Sequence, residues 1–192
     1  MTIKEPIDNI ATRRTYILLQ MALFDLLTEK PFEKISLTEL CTRSMVPRST
    51  FYRYFEDKHD LLRYCIQVFF ETAQLNEDII YFSDSYSIRD FLVIFIQMIN
   101  RHKAEYYKLY QINKNGILMD ILKDFLSDLM IVKLKESEGN GRRLKISPEI
   151  FTYLLTDFYF SAAKCFLDME ESCPVDEFVG HVCMFSEKDF FF

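Results

Sequence analysis

The chain has 192 residues, of which 49% are hydrophobic, 16% aromatic and 27% charged, so it can bury a sizeable core and is neither disordered nor fibrous. Only four Gly and five Pro argue against an all-β sandwich or a glycine-rich nucleotide-binding sheet, and an all-α fold is expected. The formal net charge of −6 weighs against a nucleic-acid partner, which calls for a basic face.

Lys4, Glu5 and Asp8 interrupt any signal-like apolar start. Residues 10–29 then place Ile10, Ile17, Met21, Phe24 and Leu27 at helical spacing, predicting an amphipathic helix that Pro31 closes. Ser36-Leu-Thr-Glu39 is a capping box, in which the Ser side chain takes the Glu amide and the carboxylate returns to the Ser amide. A short helix from Leu37 to about Ser44 follows, then a junction Ser44-Met45-Val46. Pro47 precedes a second short helix over Arg48 to Tyr54, since Pro suits a helix start. Two short helices joined by a tight turn make a helix-turn-helix candidate. Asp57 or a neighbour opens a long helix to about Ile80, and Phe82–Ser87 reads as a loop. Apolar-periodic stretches at 88–102, 104–112, 117–136, 148–170 and 175–187 complete about nine helices. They are broken at Asn113-Lys-Asn-Gly116, at Ser137–Arg143 and at Cys173-Pro174. The longest purely apolar run, Phe91 to Ile96, is far short of a membrane span, so a soluble, cytoplasmic protein is expected.

The charge is unevenly spread. Residues 1–62 hold nine Lys/Arg against nine Asp/Glu, whereas 63–192 hold fourteen against twenty. Between Cys41 and Phe55 stand Arg43, Arg48 and Arg53 with no acid, so the helix-turn-helix candidate is locally basic and weak, salt-sensitive non-specific DNA binding is expected. Five cysteines (Cys41, Cys65, Cys165, Cys173, Cys183) and three histidines show no zinc-ligand spacing. Reduced, mostly buried thiols are expected, with a redox switch through Cys165, Cys173 or Cys183 as the competing reading. No catalytic constellation, metal cluster or phosphate-cradling loop is legible, so neither an enzyme nor a cofactor is expected.

On the second short helix, Phe51 and Phe55 are four apart and face inward with Leu40 and Leu61, while Arg48, Ser49, Tyr52 and Arg53 fall on other faces. A helix of this kind lies in the major groove with its first residues against base edges. Arg48 in the first turn is the best base reader, because a guanidinium pairs with guanine O6 and N7. Ser49 and Tyr52 add base or thymine-methyl contacts; half-buried amphipathic packing of Tyr52 and Tyr54 and a merely solvated Arg53 are the competing readings.

Arg13-Arg14, Leu26-Leu27-Thr-Glu-Lys-Pro-Phe32, Ile35-Ser-Leu, Leu40-Cys41, Val46-Pro-Arg-Ser-Thr-Phe-Tyr-Arg-Tyr-Phe55-Glu-Asp-Lys58 and Leu61-Leu62 together resemble the DNA-binding domain of the tetracycline-repressor (TetR) family, over about residues 10–65. The resemblance implies a helix-turn-helix DNA-binding domain in 1–62 and a helical effector-binding and dimerisation domain in 63–192, joined by the long helix. It also implies that Thr50, Tyr54 and Lys58 grip backbone phosphates, and that Thr38 reaches a base or a phosphate. Lys58 lies near a helix start, where free amides favour a phosphate. Two residues depart from the family pattern. Met45 stands where Gly is common, so either a left-handed turn there costs about 1 kcal/mol or the turn takes a slightly different geometry. Pro47 replaces a side-chain cap.

In the later region, Phe95, His102, Tyr106, Phe125, Asp157 and Tyr159 are candidates for an apolar pocket with polar tips, suited to a small amphipathic or aromatic effector; ordinary core packing is the competing reading of each. Helices 148–170 and 175–187 carry Phe151, Leu154, Leu155, Phe158, Ala162, Phe166, Val175, Phe178, Val179, Val182 and Phe185, more apolar face than one bundle needs. The family dimerises through this pair, to which Phe190–Phe192 adds an aromatic end. The expectation is a homodimeric repressor on a palindromic operator, released when an effector changes the spacing of two recognition helices about 34–36 Å apart. The alternative is control by a protein co-regulator.

Overall fold

The computed structural model describes residues 10–72, 88–139, 145–169 and 173–184. The described residues form nine α-helices, one 3-10 turn and no strand: α1 Ile10–Leu27, the turn Phe32–Lys34, α2 Leu37–Ser44, α3 Arg48–Tyr54, α4 Lys58–Thr72, α5 Ile88–Arg101, α6 Lys103–Asn113, α7 Ile117–Gly139, α8 Pro148–Asp168 and α9 Val175–Cys183. The all-α expectation is met. The expected end of α4 near Ile80, the loop Phe82–Ser87, Phe185 and the end Phe190–Phe192 lie outside the described residues. Helix α7 runs three residues past 136, into the stretch read as a loop, because Ser137 and Glu138 are tolerable helix residues and the helix runs on as far as Gly139.

The chain divides into two compact units, one of residues 1–65 with 109–118, the other of 66–108 with 119–192. In the first, α1 packs on α2 and α2 on α3, around Leu19, Leu23, Leu26, Phe32, Ile35, Leu40, Phe51, Phe55 and Leu61, all buried. Tyr16 is a hub of this core, with ring centroids 4.8–5.3 Å from those of Tyr54, Phe55 and Tyr64. The face expected to be apolar on α1 is only partly the one that is buried: Leu27 is buried and Phe24 half-buried, but the rest differs. Ile10, Ile17 and Met21 are 89%, 45% and 61% exposed, and the buried set is Tyr16, Leu19, Ala22, Leu23, Leu26 and Leu27. The helix is apolar on more than one side, so spacing alone did not choose between faces.

The 3-10 turn Phe32–Lys34 is where three parts of the chain converge. The Asn113 side chain, wholly buried, accepts the Phe32 N–H at 3.0 Å and donates to the Leu27 and Leu109 carbonyls at 2.8 and 2.9 Å. Lys58 Nζ donates to the carbonyls of Phe32, Glu33 and Ile35 at 2.9, 3.2 and 2.8 Å and lies 4.6 Å from the Phe32 ring centroid. Glu33 Oε1 accepts the Ile117 N–H at 2.5 Å, which holds its carboxyl below the usual range. A Cβ at Gly116 would stand 2.7 Å from Glu33 Oε1, so a larger residue there displaces the end of that exposed side chain. Segment 109–118 thus belongs to the unit that carries the helix-turn-helix.

The capping box at Ser36 is present in full. Ser36 Oγ accepts from the Glu39 N–H at 3.2 Å, and Glu39 Oε2 accepts from the Ser36 N–H at 3.1 Å. Lys30 Nζ adds an ion pair with Glu39 Oε1 at 2.6 Å. Lys30, then the Ser36 amide and hydroxyl, hold the Glu39 carboxyl down at about 2 against an ordinary 4.5. A depressed acid stabilises the fold fully above its ordinary value and loses that contribution as pH falls through the lowered one. The gap in melting temperature between the parent chain and Glu39→Gln is therefore expected to hold steady above pH 4.5 and to close by about pH 2. A gap unchanged at pH 2 would mean that ionisation of Glu39 contributes nothing.

In the second unit, α9 and α8 both pack on α5, around Phe91, Phe95, Phe151, Leu155, Tyr159, Phe166, Phe178 and Val179. Most apolar residues singled out on α8 and α9 are thus consumed inside the protomer, contrary to the surplus expected. Phe151, Leu155, Ala162, Phe166, Phe178 and Val179 are buried, while Leu154 stays 58% exposed beside Ile150 at 56% and Tyr153 at 68%. Phe158, Val175 and Val182 are half-buried.

Candidate nucleic-acid interface

The turn between α2 and α3 sets the geometry of the candidate site. Met45 takes the left-handed conformation, φ 55° and ψ 25°, the one non-glycine positive φ among the described residues. Its neighbour Val46 returns its N–H to the Cys41 carbonyl at 3.1 Å, closing α2 as a glycine would, at a cost of about 1 kcal/mol. Pro47, at φ −58°, caps α3 without a side-chain hydrogen bond and brings Arg48 into the first turn.

Phe51 and Phe55 are buried with Leu40 and Leu61, so α3 is held from one side. Arg48, Ser49, Tyr52 and Arg53 are exposed on the other, Tyr52 at 59%, and Thr50 is half-buried. Thr38 is exposed in the first turn of α2, where its Oγ1 accepts a hydrogen bond from Arg48 Nη2. A shallow recess of about 300 Å³ lies here, lined by Thr38, Cys41, Thr42, Met45, Val46, Pro47 and Arg48.

Two of the residues expected to grip phosphates are engaged inside the unit. The Tyr54 hydroxyl is 3.3 Å from Thr12 Oγ1, and its ring meets Tyr16 edge-on. Lys58 spends its donors on the three carbonyls described above, and burial lowers its pKa. The start of α4 is also occupied, because Asp57 Oδ1 accepts the His59 and Asp60 N–H groups at 2.8 and 2.9 Å. A carboxylate already sits where a phosphate was expected. The basic strip is thinner than its sequence suggests, since Arg43 makes a two-pronged pair with Glu29, at 2.8 and 2.9 Å. Arg48 and Arg53 are its remaining arginines.

The six pocket candidates of the second unit fall into two groups. Phe95 and Tyr159 lie together with centroids 6.5 Å apart. Phe160 connects Phe95 to Lys123, which pairs with Asp157 at 2.5 Å. Separately, exposed His102 meets Tyr106, Tyr106 meets Phe69, and Phe70 stacks on Phe125. Among the described residues the buried Thr152 hydroxyl finds no hydrogen-bond partner, a position that the sequence did not single out. Cys41 and Cys183 are buried, Cys65 and Cys173 half-buried and Cys165 exposed. Burial pushes the Cys65 thiol up to about 12, which leaves it inert as a nucleophile. No helix among the described residues is long and apolar enough to cross a membrane.

Comparison with known proteins places these features. Residues 22–65 match the model of the bacterial regulatory proteins, tetR family. The chain is similar to the HTH-type dhaKLM operon transcriptional activator DhaS of Lactococcus lactis subsp. lactis (strain IL1403), 27% identical over 101 residues, which cover 53% of this chain and 51% of that protein. The match thus spans about half the length of that relative. Among solved structures, Lin0861 from Listeria innocua is 17% identical over 95% of this chain and 94% of its own, with a TM-score of 0.64. A TetR transcriptional regulator from Streptococcus agalactiae 2603V is 16% identical over 92% and 95%, with a TM-score of 0.61. At such identities the two structures share the fold alone.

Proposed function

We propose that the chain is a DNA-binding transcriptional regulator of the TetR family, whose model residues 22–65 match, and that it acts in the cytoplasm as a homodimeric repressor on a palindromic operator, released by a small-molecule effector. The observation that carries the DNA reading is the division of α3 into a buried Phe51/Phe55 side and an exposed side of Arg48, Ser49, Tyr52 and Arg53. In this reading Arg48 reads a guanine edge, Ser49 and Tyr52 add base contacts, and Arg53 and Thr50 complete the footprint, with the Thr38 hydroxyl bonded to Arg48 behind it. Tyr54 and Lys58 act by holding α3 and the 3-10 turn in place. Dimerisation through α8 and α9 is supported by the exposed Ile150, Tyr153 and Leu154, and a two-fold dimer matches a palindromic site.

A small effector is supported by polar groups among aromatic rings in the second unit, namely the Lys123–Asp157 pair against Phe160 and the hydroxyl of Thr152, unpartnered among the described residues. A protein co-regulator is the competing means of control. Activation rather than repression is a second reading, favoured by the relative named as an activator; transcription beside the bound site in a deletion strain separates the two by rising or falling. Arg48→Ala is expected to weaken binding to genomic fragments retained by the parent by about 1–3 kcal/mol and to relax the preference at one base pair. Folded, dimeric Arg48→Ala and Tyr52→Ala proteins that bind every such fragment as the parent does would refute the assignment.

A further inference from the structure

We propose that Thr38 is a positioning residue for DNA reading: its hydroxyl, on α2, holds the guanidinium of Arg48, on α3, in the pose from which that side chain reads a guanine. The proposal rests on the assignment of Arg48 as the base reader. Its ground is the hydrogen bond from Arg48 Nη2 to Thr38 Oγ1 across the helix-turn-helix. Both anchor points are backbone-fixed. The capping box sets the first turn of α2, where Thr38 lies; the left-handed Met45 and the fixed φ of Pro47 set the first turn of α3, where Arg48 lies.

An arginine side chain is long and flexible, and beside DNA it has phosphates on every side to settle on. Contacts of that sort carry no sequence information. A guanidinium has five N–H donors, so one bond to Thr38 leaves enough for a two-pronged contact with guanine O6 and N7 while removing most of the side chain's freedom. The charge of Arg48 also acts on the Cys41 thiol against the effect of burial, which agrees with a guanidinium lying along α2 over the shallow recess. In this arrangement Thr38 and Arg48 are one reading element contributed by two helices.

The test uses the full chain and a random-sequence duplex library, with base preference and salt dependence measured for each variant. Arg48→Ala identifies the guanine position by erasing its preference. At that position Thr38→Val is expected to lower the preference roughly five- to tenfold, Thr38→Ser to keep it, and the salt slope to stay unchanged. In the Arg48→Ala background, Thr38→Val should alter base preference no further. Thr38→Ala serves as a second hydroxyl-free variant should Thr38→Val fold poorly. If the hydroxyl-free variants weaken binding to all sequences alike and reduce the salt slope by about 1, Thr38 touches a phosphate directly and the proposal is overturned while Arg48 keeps its role. A guanine preference unchanged in them overturns it equally. An Arg48→Ala protein with no altered preference at any position overturns the reading of Arg48 itself.

Discussion

Asn113→Ala is expected to lose about 2–4 kcal/mol of stability in the unit that carries the helix-turn-helix, the largest effect of any polar substitution in it. The amide is wholly buried and holds the Phe32 N–H together with the Leu27 carbonyl. Truncation leaves both groups out of reach of water, and each orphaned buried group costs about 1–3 kcal/mol. The Leu109 carbonyl, also bonded by Asn113 Nδ2, loses a further partner. Asn113→Leu is expected to fare no better, since filling the space restores neither bond. Urea unfolding measures the loss, and hydrogen exchange at the Phe32 amide locates it, because that amide should lose its protection first. A loss below about 0.5 kcal/mol with Phe32 still protected would show that water takes the place of the side chain. DNA binding should weaken as well, because the turn held by Asn113 joins α1 to α2.

Leu154→Arg is expected to convert the proposed dimer to a monomer and to lower affinity for the operator fragment at least about 100-fold, with helix content unchanged. Leu154 is 58% exposed beside Ile150 and Tyr153 on α8, so an arginine there is harmless to a lone protomer. A charge at the centre of a dimer interface is another matter, because it is desolvated without a partner. Each half-site alone is bound weakly, and joining two recognition elements raises affinity by effective concentration without any new contact. Sedimentation and binding measured on one protein preparation provide the check. A Leu154→Arg protein that stays dimeric places the interface elsewhere, and a monomer with undiminished affinity removes the need for a dimer.

The path from α2 to α3 was legible because its signals are local. A capping box, a helix-starting proline and an i, i+4 aromatic pair each act within a few residues, so Ser36, Glu39, Pro47, Phe51 and Phe55 announce their roles by spacing, while Met45 stood out only through the family resemblance. Of the two turn geometries left open at Met45 the left-handed one is found, and the burial of Phe51 and Phe55 is as expected. The contacts that assign side chains to DNA or to the protein itself span long stretches of chain. The family resemblance and the nearby helix start imply a phosphate contact for Lys58, yet its Nζ donates to the carbonyls of Phe32, Glu33 and Ile35, more than twenty residues back along the chain. Arg43 counted as part of a basic strip until Glu29 was placed beside it.

By itself, the sequence determined the helical class, the limits of α2 and α3, the likeness of the helix-turn-helix segment to the tetR family and the exposed side of α3. Only the tertiary structure decided which side of α1 faces the core, which arginines stay free of acid partners, and that Asn113 and Gly116 belong with the helix-turn-helix. The reason is physical. Helix signals are set by hydrogen bonds and side chains within one or two turns, whereas an apolar helix with more than one possible face, or a polar side chain with several possible partners, is settled by whatever packs against it.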